Sequence, residues 1–416
     1  MIRILHTSDW HLGQTFFGYD RTEEHEHFLS WLAQEVRTQQ VDVLVVAGDV
    51  YDVSNPSAAA QRMFYRFVSS ITRDNPTLQI VVIAGNHDSA ARLEAPVPLL
   101  EEMRTTVKGV VRRKEGEIDY EDLIVELRNR AGEAEVLCLA VPYLRQGDYP
   151  VVETEGNPYA AGVRALYAAV LERAVERRQP SQAIIALGHL QATGSEIAEK
   201  DHSERTIIGG LECVSPEAFP EAIVYTALGH IHKSQRISGR ENVRYSGSPL
   251  PMSFAERNYR HGGVLVTLDQ GVLLSIERRE YQPPVRLLSV PSVGAASPEG
   301  VLNELYALDI QSCPAPYLEV KVLLHEPEPT LKQKIEEAVE DKNVRLARIV
   351  PMYRRAELQE GEGEQTLTNG LDEMSPVEIA RLAFEKIYQS DMPDELTSLL
   401  QEVCSAALSA DPSVSR

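Results

Sequence analysis

The apolar run Val43-Leu44-Val45-Val46 stops abruptly at Ala47-Gly48-Asp49-Val50-Tyr51-Asp52, and that stop constrains the fold more than any other stretch. Such a run reads as a buried strand, and the glycine lets the backbone turn at its carboxyl end. Open α/β sheets place ligands beyond the carboxyl ends of their strands, so Asp49 is expected at the rim where chemistry is done. Four other strand ends carry similar cargo: Ser8-Asp9-Trp10-His11, Gly85-Asn86-His87-Asp88, Gly188-His189 and Gly229-His230-Ile231-His232. All five are expected to converge on two metal ions, with Asp49 as the bridge.

The first two-thirds of the chain alternates strands with helices, the pattern of an α/β domain. Strands are expected at Ile2 to Thr7, Val43 to Ala47, Gln79 to Ala84, Val136 to Val141, Ala183 to Leu187 and Ile223 to Leu228. Phe28, Leu32 and Val36 share one face of a helix near Glu23 to Arg37. Met63, Phe64, Phe67, Val68 and Ile71 form the stripe of a second helix, introduced by Asn55-Pro56-Ser57. The charged stretch Gly109 to Asp122 reads as short strands or a surface loop, and Leu190 to Gly210 as a loop able to cover an open site. A hairpin across Asp269-Gln270-Gly271 makes the sheet system mixed.

The organisation changes near Gln282. Residues 1–281 are expected to form the catalytic domain and 282–355 a compact α+β unit. Residues 356–372, containing Glu360-Gly361-Glu362-Gly363-Glu364, have the composition of an acidic flexible linker. Residues 373–410 hold two short amphipathic helices, the first opened by the capping box Ser375-Pro376-Val377-Glu378. Helices that short cannot bury their apolar stripes alone, so they fold back on the body or dock on a partner.

Carboxylates, imidazoles and one carboxamide make a mixed oxygen and nitrogen donor set, suited to manganese, iron or zinc rather than calcium. On an extended segment side chains two apart point the same way, so Asp9 and His11 reach one ion, and His230 and His232 stand in the same relation. One site then takes Asp9, His11, Asp49 and His232, the other Asp49, Asn86, His189 and His230. Two ions about 3.5–4 Å apart acidify a shared water and clamp the oxygens of an in-line phosphoryl displacement. His87 is placed to donate a proton or stabilise charge at the leaving group, and Asp52 and Asp88 to orient histidines or the turn. The remaining histidines are assigned plainer places: His6 in the core, and His25, His27, His202, His261 and His325 in solvent.

A net charge of −21 disfavours a chain that grips nucleic acid by its own electrostatics, although two divalent ions would invert the field locally. A DNA substrate therefore implies a partner that supplies much of the grip. The four cysteines are far apart and form no Cys-x-x-Cys pair, the usage of reduced thiols. The N-terminal residues run straight into a strand, and no segment approaches the apolar length that crosses a bilayer, so the cytoplasm is the expected compartment with no membrane partner.

Asp9-Trp10-His11, Gly48 to Asp52, Gly85-Asn86-His87-Asp88, Gly188-His189 and Gly229 to His232 together resemble the signature of the calcineurin-like metallophosphoesterase superfamily. A closer resemblance, to nucleases of DNA double-strand-break repair, is carried by Ile4 to Gly13, by Tyr245-Ser246-Gly247-Ser248-Pro249 and by Phe254-Ala255-Glu256. The resemblance implies a sandwich of two mixed β-sheets flanked by helices, and two manganese ions. It further implies a homodimer through the nuclease domain, with exonuclease action on duplex ends and endonuclease action on hairpins or single strands. It makes 282–355 a capping domain and the C-terminal helices the docking segment for a coiled-coil ATPase. Tyr245, Ser246 and Ser248 are candidates to position a phosphate strand. Two other readings remain: a small-molecule phosphodiesterase or phosphatase on the same site, and a non-catalytic scaffold.

Overall fold

Strands with apolar residues at every position must be covered on both faces, and in this chain they lie between a second sheet and a layer of helices. A computed structural model describes residues 1–196, 213–326 and 328–353, together with Phe384, Pro393 and Leu396. The principal strands in chain order are β1 (Ile2–Thr7), β2 (Val43–Ala47), β3 (Gln79–Ile83), β4 (Thr105–Lys108), β5 (Ile124–Arg128), β6 (Ala134–Ala140), β7 (Ala183–His189), β8 (Tyr225–Gly229), β9 (Gln235–Ile237), β10 (Arg240–Tyr245), β11 (His261–Asp269) and β12 (Val272–Tyr281). The first sheet has the order β12-β11-β1-β2-β3-β4 and the second β9-β10-β8-β7-β6-β5. Both are mixed: β1 runs parallel to β2 and antiparallel to β11, while β6 runs parallel to β7 and antiparallel to β5.

Alternation along each strand divides the core into layers. Val43, Val45 and Ala47 face the second sheet, where Cys138, Ala140, Ile185, Leu187 and Ala227 complete the inner layer. Leu44 and Val46 point the other way, toward α1 (Thr22–Thr38) and α2 (Ala58–Asp74), and meet Phe28, Leu32, Phe64 and Val68. On the far side, Leu137, Leu139 and Ile184 pack with Leu166 and Val170 of α3 (Pro158–Arg177). Ser57 caps α2 by accepting from Ala60 N, and Asn157 caps α3 by accepting from Tyr159 N and Ala160 N.

Among the described residues the expected strands and helices are present within a few residues. The charged excursion contains a two-residue hairpin, Arg113–Lys114 with Glu117–Ile118. Edge strands β4, β5 and β9 were not expected, and two histidine placements need correction. His25 is buried rather than solvated, because the stripe of α1 continues one turn back from Phe28 and Leu29 to reach it. His261 is buried at the start of β11, with Nδ1 2.9 Å from the Ser248 carbonyl. His202, the expected linker 356–372 and nearly all of the expected helices in 373–410 lie outside the described residues.

Beyond β12, strands β13 (Leu287–Val290), β14 (Tyr317–Leu324) and β15 (Arg345–Tyr353) make a three-stranded sheet, with α4 (Pro298–Ala307) and α5 (Leu331–Val339). It has a core of its own, including Val301, Leu305, Val320, Val322 and Ile335. Residues 1–352 nonetheless form one compact unit. At the junction Phe16, Phe254, Val285 and Tyr317 are buried together. Beneath them the Arg21 guanidinium donates to both oxygens of Glu24, to Gln14 Oε1 and to the Pro251 carbonyl, while Tyr317 Oη donates to Glu24 Oε1 at 2.8 Å.

Removing one member of a buried ion pair strands the other without solvent. Arg21→Ala is therefore expected to cost about 3–5 kcal/mol, read as a lower urea unfolding midpoint. An unchanged midpoint would show that Glu24 finds other support.

Candidate dinuclear metal centre

The carboxyl ends of β1, β2, β3, β7 and β8 meet at one rim, and main-chain bonds lock the first two loops together. Asp9 N donates to the Gly48 carbonyl at 3.0 Å, His11 N to the Asp49 carbonyl at 3.0 Å and Leu12 N to the Val50 carbonyl at 2.9 Å. Trp10, between the two site residues, is buried against Phe28, Phe64 and Phe67 and anchors the loop to the outer core. The segment is not extended as expected: φ is +55° at Asp9 and +46° at His11, and also positive at Asp49 and His230. Left-handed backbone at a non-glycine residue costs of order 1–3 kcal/mol. Here the surrounding bonds hold it, and Asp9 and His11 still converge.

Asp49 is the hub. Its Oδ1 accepts His87 N at 2.8 Å, and its Oδ2 lies 3.3 Å from His189 Nε2 and 3.6 Å from His11 Nε2. Asn86 Oδ1 lies 2.8 Å from His189 Nε2 and 2.9 Å from His230 Nδ1. Asp9 Oδ1 accepts His230 N at 2.9 Å, and Ser8 Oγ donates to Asp9 Oδ2. His232 Nδ1 faces Glu256 Oε1 at 2.9 Å. His87 Nδ1 donates to the Asp52 carbonyl at 2.7 Å, leaving its Nε2 available. The structure thus brings together all seven expected ligands and His87. Asp88 ties two loops to each other, accepting Gly85 N, Val50 N and Tyr51 N at 2.9, 3.2 and 3.0 Å.

The donor atoms fit cations. Both ring nitrogens of His11 are buried without a hydrogen-bond partner, the state of an imidazole waiting for something else. Asp9, His11 and His232 each bring a ligand atom within 4.8 Å of the others, as do Asp9, Asp49 and His189, and also His11, Asp52 and His87. Asp9 belongs to two of these clusters, a sharing that its expected assignment to one site did not include. Asp52 Oδ1 approaches His11 Nδ1 at 3.4 Å, beside the ligand set.

Burial shapes the charges. It opposes ionisation of Asp49, but the charge and hydrogen bond of His189, with the charges of His11 and His87, hold the carboxyl well below its usual range. Burial likewise disfavours the His189 imidazolium, yet Asp49 and Asp9 raise its pKa to about 9. Burial lowers His230 to about 3, helped by the charge of His189. Burial and the Asp49 charge push Asp88 up to about 6.

A family model described as calcineurin-like phosphoesterase matches residues 2–234. The SbcD component of nuclease SbcCD from Rhodobacter capsulatus is 39% identical over 83% of this chain and 86% of its own length. The chain belongs to the SbcD family of calcineurin-like phosphoesterases. Its fold is accordingly the metallophosphoesterase sandwich, and divalent metals belong with this family's site. The SbcD protein of Escherichia coli K12 is 33% identical over 94% of both chains, and that of Bacillus subtilis 34% identical over 74% and 75%. A second model, described as type 5 capsule protein repressor C-terminal domain, matches residues 283–388.

The strand-end segment after β10 differs from expectation. Tyr245 is buried, its hydroxyl donating to the Leu190 carbonyl at 2.7 Å and accepting from Ala192 N at 2.8 Å. Ser246 and Ser248 are buried too: Ser246 Oγ meets Ser8 Oγ at 2.7 Å, and Ser248 Oγ donates to the Leu250 carbonyl at 2.8 Å. These side chains brace the site from behind and offer no hydroxyl to solvent. Ser8 and Glu256 stood in motifs read from the sequence without a role, and Tyr143, which packs edge-to-face with His189, was not reached, because their roles depend on what other strand ends bring to them.

Below about pH 9 the cation-free protein carries an imidazolium at His189 against Asp49, and a cation must displace that proton. Divalent affinity is thus expected to rise with pH through neutrality and level off above the His189 pKa, with proton release at pH 7. Calorimetric titrations in buffers of differing ionisation enthalpy count those protons, and a count of zero contradicts this charge state.

Proposed function

We propose that this chain is the nuclease component of a two-part DNA-processing complex acting in repair, recombination and replication. It hydrolyses phosphodiester bonds at duplex ends as an exonuclease and in hairpins or single strands as an endonuclease. One observation carries the reading: Asp9, His11, Asp49, Asn86, His189, His230 and His232 meet with His87 at one rim, in a chain similar along most of its length to proteins named as components of the nuclease SbcCD.

Those seven side chains would hold two divalent ions; the mixed donor set suits manganese, iron or zinc, and manganese is the one that the family resemblance implies. Bound there, the ions would supply Lewis acidity and charge neutralisation for an in-line displacement at phosphorus. The remaining tasks fall to the protein. Asp49 is held ionised, Asp88 and the main-chain bonds between the first two loops keep the acids from moving apart, and burial lowers the His87 pKa. A phosphodiester anion beside His87 raises its basicity again, so that Nε2 can deliver a proton to the departing oxygen. Asp52 orients this ring through its carbonyl.

The partner is an SbcC-like coiled-coil ATPase, since the relatives' name denotes one member of a pair. It docks on the helices of 373–410 across the linker 356–372, and the acidity of the chain assigns it much of the grip on DNA. Residues 282–355 act as a capping domain, and two copies pair through the nuclease domain. Among the described residues no helix is long and apolar enough to cross a membrane, and we place the complex in the cytoplasm. A small-molecule phosphodiesterase or phosphatase needs neither the three-stranded unit nor the C-terminal segment, and a scaffold has no use for a complete ligand set.

Nuclease assays with manganese, with and without the ATPase partner and ATP, on free-ended, end-blocked and hairpin DNA test this reading. A small chromogenic phosphodiester cleaved faster than any DNA would overturn it. His87→Ala is expected to lower kcat by about 100- to 10,000-fold while manganese uptake persists. Cleavage at the parent rate would remove His87 from the mechanism.

A further inference from the structure

The ring nitrogens that face away from the pocket have partners of different kinds. His189 and His87 give Nδ1 to main-chain carbonyls, those of Ala47 at 2.9 Å and Asp52 at 2.7 Å. His230 is turned the other way, its Nδ1 lying 2.9 Å from the oxygen of the expected ligand Asn86 and so facing the pocket. His232 Nδ1 instead lies 2.9 Å from a carboxylate oxygen, Glu256 Oε1, and both side chains are buried. The second oxygen is also engaged: Glu256 Oε2 accepts Met252 N at 2.7 Å. Met252 N donates to one oxygen, and a His232 ring protonated at Nδ1 donates to the other, an arrangement that suits an ionised carboxylate accepting at both ends.

The turn that carries Glu256, Phe254–Asn258, is itself fixed. Ser253 Oγ caps it by accepting Ala255 N, and Phe254 is buried with Phe16, Val285 and Tyr317. Arg257 donates to Ser289 Oγ at 2.7 Å and to the Ser292 carbonyl at 3.2 Å. The carboxylate therefore sits on a rigid support while His232 closes the cluster with Asp9 and His11.

We propose that Glu256 is the positioning residue for His232, accepting a hydrogen bond from its Nδ1–H so that the ring turns an unprotonated Nε2 toward a cation shared with Asp9 and His11. The proposal deepens the dinuclear reading and rests on it. A carboxylate partner orients a ligating imidazole and raises its basicity, so Glu256 distinguishes the ion bound by His232 from the ion bound by His189 and His230.

The competing role is structural, with Glu256 serving only to hold the Met252 amide. Glu256→Gln separates the two. The glutamine oxygen can keep Met252 N, but its amide then turns a donor toward His232 Nδ1 and drives the ring to the opposite tautomer. The expected result in the full chain is two manganese-binding steps by calorimetry, one weakened about 10- to 100-fold and the other unchanged. NMR of the cation-free protein with nitrogen-labelled histidine should show His232 protonated at Nδ1 in the parent and at Nε2 in the variant. Two unaltered binding steps in a folded E256Q protein, or a parent His232 protonated at Nε2, would overturn the proposal. Should the variant fail to fold, the parent tautomer decides alone. A parent that takes up no manganese defeats the dinuclear reading itself, and with it this proposal. A parent that takes up two ions, matched by the variant, defeats only the role of Glu256.

Discussion

The His189 ring donates to the Ala47 carbonyl across the gap between the two sheets, and the site depends on that crossing. Ala47 ends a strand of the first sheet and His189 ends one of the second, so the bond forms only when the sandwich has closed in register. The inner layer of Val43, Val45, Ile185 and Leu187 sets that closure, because burying apolar surface from both sheets is what brings their ends together. Asp49 then receives its neighbours from both halves: His11 and the His87 amide from the first sheet, His189 from the second. Chemistry here is a consequence of packing, and no single loop contains it.

Much of this was legible in the sequence because the informative residues sit where continuous apolar runs stop. Val43 to Ala47 and the Gly-His ends of β7 and β8 announce buried strands and their rims together. Strand β5 was not legible: Ile124 to Arg128 is short, carries Glu126 and lies at an edge, so neither face gives a continuous apolar signal. Side-chain destinations that depend on a distant partner were hidden too. Tyr245 has the composition of a surface contact until Leu190 and Ala192 arrive from another strand end and consume its hydroxyl. His25 looks polar in its neighbourhood, and only the continuation of a helical stripe takes it inside.

The charge balance follows the same logic at a smaller scale. A chain with a net charge of −21 buries Asp9, Asp49 and Asp88 at one rim, an arrangement that repulsion would resist. Main-chain amides from Gly85, Val50 and Tyr51 offset Asp88, His189 offsets Asp49, and the His230 amide offsets Asp9. The acids are held by donors that belong to different strands. The fold thus holds a negative pocket together, with the cost distributed over the sheet ends.

Three glycines form the floor beneath these groups. A methyl at Gly48 would lie 2.2 Å from His189 Nδ1, one at Gly85 2.1 Å from Asp49 Oδ1, and one at Gly229 1.9 Å from the Ala47 carbonyl. Bare main chain here lets the two halves of the sandwich touch like the boards of a book at its spine. An added carbon at any of the three would act as a wedge driven into that binding, prising the pages apart where they are read.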